Sequence, residues 1–396
     1  MVKFKFLIAA FLMILLFSNN SEAKDKEIKP LFGFSKLIYN EAYDVLTQSW
    51  TEIHMSREAA KMYPKLSKSL KKYTDEEHDK AMERQRKYYE EALSFKQESP
   101  EAFRPFYDKS DTIIRRADSV VLSLMEETED YMGGVHGMYG YFGVNFDTAT
   151  GKRLHISDIC NDTEKLLSAI LMRLHEDSPR SPFENAEEYI KNQIVNDEIN
   201  FTIEPSGVSF HFNPYEIGSY AEGLFTATLL FSEYPDLFNA KYQQLPKAYC
   251  QTLPLYGTNI VSLQSGKRNF IQIDIDDDGF FHVLTGGGTA EDRTGLTGLK
   301  DPVLVHMIDG TNYIYVDGYI EDKGRRIHVF NISDDKIELI GVMPYTFKNL
   351  GTLKYETWWI PTNPDNIRFD SMEPVGDKNL TSHFGTINDD GSLSFG

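Results

Sequence analysis

Hydrophobic positions fall into three successive patterns along the chain. Phe6 to Phe17 is an unbroken apolar run, preceded by Lys3 and Lys5 and followed by polar residues up to Ser21-Glu22-Ala23. The run is about 12 residues, against the roughly 20 that a bilayer span needs, and small residues stand where signal peptidase reads. Residues 1–23 are therefore expected to be a cleaved signal peptide. The mature chain would start near Lys24 and work secreted, in a periplasm or at the cell surface. No later stretch is long and apolar enough to suggest a membrane span.

The second pattern mixes helical and strand periods. Residues 24–43 read as a lead-in, and Asp44–His54 as a strand. Ser56 caps a short helical piece that Pro64 interrupts. Thr74-Asp75-Glu76-Glu77 reads as a capping box opening a polar helix to about Phe95, with Ala81, Tyr88 and Leu93 as a narrow buried stripe. Asp111–Glu129 and Tyr139–Phe146 are rich in β-branched and aromatic residues and predict paired strands around the tight loop Gly133-Gly134-Val135-His136-Gly137. Leu166, Leu167, Ile170, Leu171 and Leu174 have helical spacing behind an Asn161 cap. Ser181-Pro182-Phe183-Glu184 predicts the start of a second helix, with Phe183, Ala186, Ile190 and Ile194 facing inward. Asn200–Glu204, Val208–Phe212 and Leu224–Phe231 read as a compact β unit.

The third pattern, from about Thr252, consists of short apolar runs separated by Gly and Asp turns. Phe270–Ile275, Phe280–Thr285, Val303–Ile308, Tyr313–Val316, Ile327–Ile332 and Ile337–Val342 are the predicted strands. The expected architecture is an α+β module over residues 24–248 followed by an all-β, or mostly-β, C-terminal domain over 249–396.

Composition changes this picture in two respects. A hydrophobic fraction of 41% with 13% aromatic residues belongs to a folded chain, not a disordered one. The formal charge of −19 repels nucleic acid and anionic lipid and favours cationic partners by long-range steering. The two cysteines, Cys160 and Cys250, could form one disulfide in an exported protein or remain as two free thiols; the spacing leaves both open.

Candidate chemistry is sparse. His136, Tyr139, Tyr215 and Tyr220 lie in or beside turn-forming segments and are candidate ligand contacts. His136 could equally shape its turn by bonding the backbone, and the tyrosines could pack inward. Asp274, Asp276 and Asp278, with Gly279 following, match the first half of a calcium loop. Positions nine and twelve are His282 and Thr285, so the closing acid is missing, and an acidic hairpin turn explains the same residues. No nucleophile elbow, zinc-binding His pair, P-loop or dinucleotide fingerprint occurs, which lowers the expectation of an enzyme.

Two segments carry a resemblance. Gly133-Gly134-Val135-His136-Gly137, Asn145-Phe146-Asp147, Thr150-Gly151-Lys152 and Leu154 to Asp158 form one. Phe201-Thr202-Ile203, Gly207-Val208, Phe210 to Ile217, Tyr220-Ala221 and Gly223 form the other. Over about residues 40–235 the chain resembles the RsiV-like family of bacterial extracytoplasmic domains. That family is named for the sensor part of a lysozyme-binding anti-sigma factor, and similar modules precede some peptidoglycan deacetylase domains. The chain departs from both architectures: neither a sigma-factor-binding segment nor a deacetylase domain is expected in it. The resemblance implies an exported binding or sensing protein whose partner is lysozyme, another cationic protein, or cell-wall glycan. Two other classes stand beside it, a carboxylate enzyme or accessory subunit acting on wall glycan, and a structural or adhesive protein stabilised by calcium.

Overall fold

The computed structural model describes residues 27–177, 182–255, 257–263, 266–275, 281–292, 296–320, 324–347, 356–371, 382–387 and 393–395. The expected signal peptide lies outside them. The fold is mostly β with a helical contribution, 43% strand and 26% helix, consistent with the α+β class.

The N-terminal part opens with strands β1 (Phe34–Ala42) and β2 (Leu46–Met55), then helices α1 (Arg57–Met62) and α2 (Pro64–Glu98). Strands β3 (Phe106–Ala117), β4 (Val121–Tyr131) and β5 (Met138–Asp147) follow. β2 and β3 pair in parallel, with α2 as the long crossover between them; the other pairs of this sheet are antiparallel. The side-chain period of two then divides the faces. Gln48 and Glu52 of β2 point to α2, where Gln48 Nε2 donates to the Ala81 carbonyl at 2.9 Å and Glu52 meets His78 at 2.8 Å. Ser49 and Thr51 point the other way, toward a cleft.

Two sequence expectations need correcting here. Residues 34–42 are a strand rather than lead-in, because β1 has partners on both sides. Thr74 is not a cap: it lies inside α2, is buried, and donates to the Leu70 carbonyl at 2.9 Å. The helix instead begins at Pro64, whose missing N–H and fixed φ suit the first turn.

Helices α3 (Ile156–Ile159), α4 (Thr163–Asp177) and α5 (Ala186–Val195) pack with strands β6 (Phe201–Ile203), β7 (Gly207–Phe212) and β8 (Phe225–Leu230). The stripe Ala186, Ile190, Ile194 is buried as expected, but Phe183 is exposed and precedes the helix; Ser181 lies outside the described residues. Asp162 rather than Asn161 serves the start of α4, accepting from the Lys165 amide at 3.0 Å. A short helix α6 (Ala240–Gln243) leads to β9 (Tyr249–Thr252).

Beyond it come β10 (Thr258–Ser262), β11 (Arg268–Ile275), β12 (Phe281–Thr285) and β13 (Gly288–Asp292), an antiparallel four-stranded sheet. Strands β14 (Leu296–Thr297), β15 (Val303–His306), β16 (Asn312–Ile320), β17 (Gly324–Ile332) and β18 (Ile337–Met343) build a second six-stranded sheet together with β9. Next are β19 (Tyr345–Phe347), β20 (Glu356–Ile360), β21 (Arg368–Ser371), β22 (Ser382–Ile387) and β23 (Leu393–Phe395). β20 does not stay with its neighbours in sequence. It pairs with β1, Phe34 opposite Ile360 and Ile38 opposite Glu356, and so completes the N-terminal sheet from the far end of the chain.

Buried polar contacts reinforce this crossing. The pairing of β3 with β4 slips between Ile114 and Arg116, and such a bulge re-aims side chains. Arg115 donates to Glu204 Oε1 at 2.6 Å and to the Thr252 carbonyl at 2.8 Å. Arg116 binds Asp118 at 2.7 Å and the carbonyls of Tyr242 and Gln244 at 2.6 Å each.

Candidate functional site

A cleft of about 690 Å³ lies over the face of the N-terminal sheet that α2 leaves uncovered. Its floor carries Lys36 (β1), Thr51 (β2), Asp111 (β3) and Glu127 (β4); its walls include Lys300, Asp301, Trp358 and Trp359. The floor is assembled by strand geometry alone. Asp111 and Glu127 are directly opposed across β3 and β4, and Tyr141 of β5 is opposed to Glu127.

The charges here are interlocked. Lys36 Nζ lies 2.7 Å from Asp111 Oδ1 and 2.7 Å from Asp301 Oδ2, so one ammonium joins β1, β3 and the segment before β15. Burial works against its charge, but Asp111 and Asp301 outweigh that and raise its pKa. Thr51 Oγ1 donates to Asp111 at 2.7 Å. Glu127 is treated differently by its surroundings: Oε1 is buried and has no hydrogen-bond partner among the described residues. Burial first, then the charges of Asp301 and Asp111, push this carboxyl up to about 8, so it carries its proton at neutral pH. Asp301 is also raised by burial, but it holds Lys36 while Glu127 holds nothing, which places the proton on Glu127. Lys300 Nζ sits over the Trp358 ring with no hydrogen-bond partner among the described residues, and burial brings it down to about 6.

At the rim, the four candidate contacts from the sequence come together. The His136 and Tyr220 rings stack at 3.7 Å, Tyr139 meets Tyr220 edge-on at 5.5 Å, and Tyr215 lies 6.0 Å from Tyr220. His136 Nδ1 is 2.9 Å from the Gly137 carbonyl, which assigns it the proton; Nε2 can then accept from the Tyr215 hydroxyl at 3.4 Å. His136 therefore does both things considered from sequence: it bonds the turn and it joins the cluster. Tyr139 also lines the cleft, so the rim and the floor are continuous.

Local backbone needs explain why these loops meet. Gly133 and Gly134 adopt positive φ, the tight loop expected. The loop 213–220 is tied to β5 by Asn213 Oδ1, which accepts from the Tyr141 amide at 2.8 Å. A Cβ on Gly140 would lie 2.9 Å from that same oxygen, so glycine is what lets the loop approach. Tyr107, on the same face, donates to Glu129 at 2.9 Å; burial and this bond push its phenol up to about 12.

The remaining sequence candidates are elsewhere. Asp274 stands in β11 opposite His282, while Asp276 and Asp278 lie outside the described residues. Among the described residues no group of three His, Cys, Asp or Glu side chains converges to hold a metal. Cys160 and Cys250 are free thiols, the second of the two states that the spacing left open. Cys160 caps α3 at the edge of the helical core, and Cys250 is buried within β9 in a different core.

Lys36, Asp111, Glu127, Lys300, Asp301 and Trp358 were not singled out from the sequence. A partial signal existed. Asp111 and Ile113, and Glu127 and Glu129, fall on one face of their strands at period two. The other contributors come from segments far away in the chain.

A comparison with solved structures finds a DUF3298 family member from Bacteroides fragilis at 17% identity. It covers 54% of this chain and 96% of that one, with a TM-score of 0.40. A DUF3298 family protein from Pseudomonas aeruginosa shows 12% identity over 54% of this chain and 97% of that one, with a TM-score of 0.37. No curated protein matches. Residues 157–232, which span α4, α5 and β6–β8, match the family described as a protein of unknown function (DUF3298).

Proposed function

We propose that this is an exported binding protein that holds a segment of cell-wall glycan in the cleft. The observation carrying this is the continuity between an aromatic rim and a polar floor. Sugar rings present an apolar face and a belt of hydroxyls. Tyr139, Tyr220, His136 and the wall tryptophans offer flat surfaces for the first, and Asp111, Glu127 and Asp301 offer hydrogen-bonding partners for the second. The cavity has the size of a small-ligand site, enough for a few sugar units. The RsiV-like resemblance and the leader-like N-terminus favour the same compartment.

A second reading, docking of lysozyme or another cationic protein, is favoured by the charge of −19 and by the fully exposed Val135 beside the half-exposed Tyr215. Calorimetric titration separates the two. Saturable binding of soluble glycan fragments that persists at about 0.15 M salt supports the glycan reading. Saturable binding of lysozyme but of no fragment, absent with an unrelated basic protein, transfers the function to the second.

A further inference from the structure

We infer that the floor of the cleft is a site for a primary ammonium group of the ligand, seated between Glu127, Asp111 and Asp301. The inference rests on the reading of the cleft as a glycan site and names the chemistry that the ligand must bring.

The charges of the cleft do not balance. Asp111 and Glu127 on the floor and Asp301 in the wall act on one another through their charges, and Lys36 is shared between the two aspartates. The other cation acting on Glu127 is Arg115, which is already committed to Glu204 and the Thr252 carbonyl. Three carboxylates against Lys36 alone leave the cluster two cations short, and a proton on Glu127 makes up one of the two. Of the other lysines lining the cleft, Lys300 acts on Asp301 but is itself held toward its neutral form by burial, and Lys109 is paired with Glu129 at 3.2 Å. The geometry agrees independently of charge. Glu127 Oε1 is buried, has no partner among the described residues, and belongs to the lining of an open cavity. A buried acceptor left without a donor is destabilising unless a ligand completes it.

An incoming R–NH3⁺ supplies both the missing donor and the missing charge. Glu127–COOH then releases its proton to the buffer and becomes the carboxylate partner of the ammonium; no other bond changes. An anionic group at the same place would face Asp111 and Asp301. Two sources carry this chemistry, an amino sugar without its acetyl group and a lysine side chain.

The test is calorimetry at about pH 6.5 in buffers of different ionisation heat, with a glucosamine oligomer, its fully N-acetylated counterpart, and a short lysine peptide with its acetyl-lysine counterpart. The glucosamine oligomer is expected to bind about tenfold or more tighter than the acetylated one and to release close to one proton. Glu127→Gln, which mimics the protonated acid, should erase both the preference for the glucosamine oligomer and the proton release. If that variant does not fold, the proton count on the natural chain decides. Equal binding of both oligomers without proton release overturns the ammonium site and leaves the glycan reading standing. Binding of the lysine peptide alone, with proton release, supports the ammonium site and removes the glycan reading. Binding of none of the four overturns both.

Discussion

Glu127 and Lys300 show how burial decides chemistry one residue at a time. Both are ordinary charged residues in the sequence, and both are held toward the neutral form by the cleft. For Glu127 the folded pKa, about 8, lies above the ordinary glutamate value of 4.5. The folded state then binds more protons than the unfolded one between those two values, so stability is full below about pH 4.5 and falls as pH rises through 8. Glu127→Gln should flatten that fall, by the order of 2 kcal/mol after allowance for partial exposure; parallel denaturant titrations across the window measure it. The thiols give a second prediction. Because Cys160 and Cys250 are free, a reductant should leave Tm unchanged and two thiols should react after denaturation without prior reduction. Their number was legible in the sequence; their separation into two cores was not, because distance in space is not encoded by spacing in the chain.

Elements were legible where a local signal sufficed. The helical spacing of Leu166, Ile170 and Leu174, the alternation in β7 and the short apolar run Tyr313–Val316 of β16 mark those elements without tertiary help. β1 failed that test. Its residues include Ser35, Lys36, Asn40 and Glu41, and only pairing with β2 and β20 makes it a strand. Thr74 failed in the opposite direction, since a capping motif is only a cap when the helix starts there. Hydrogen exchange distinguishes these accounts: amides of residues 34–38 should exchange slowly, as in a strand paired on both edges, whereas a lead-in would exchange at once. The aromatic rim was legible in part. Gly133, Gly134 and the Asn213-Pro214 turn marked two loops, but nothing local said that they meet across β5.

For the whole molecule, the return of β20 to β1 joins segments more than 300 residues apart in the chain. Lys36 reinforces that tie through Asp301, 265 residues away. Replacing Lys36 by Met should leave Asp111 and Asp301 facing each other without a cation. A loss of about 2–4 kcal/mol is expected, reduced from the fully buried case because Asp111 is partly exposed. Two of the three tryptophans, Trp358 and Trp359, line the cleft, so intrinsic emission reports on its occupancy.

That property makes the central claim directly testable. Soluble wall-glycan fragments would be titrated into the protein while tryptophan emission is followed, with Tyr220→Ala in parallel. Tyr220 is the centre of the rim cluster and only partly buried, so its loss should leave stability within about 0.5 kcal/mol while weakening binding by roughly tenfold. The account predicts a saturable change for the natural chain and a shifted midpoint for the variant. No saturable change with any fragment, or identical curves for the two proteins, would contradict it.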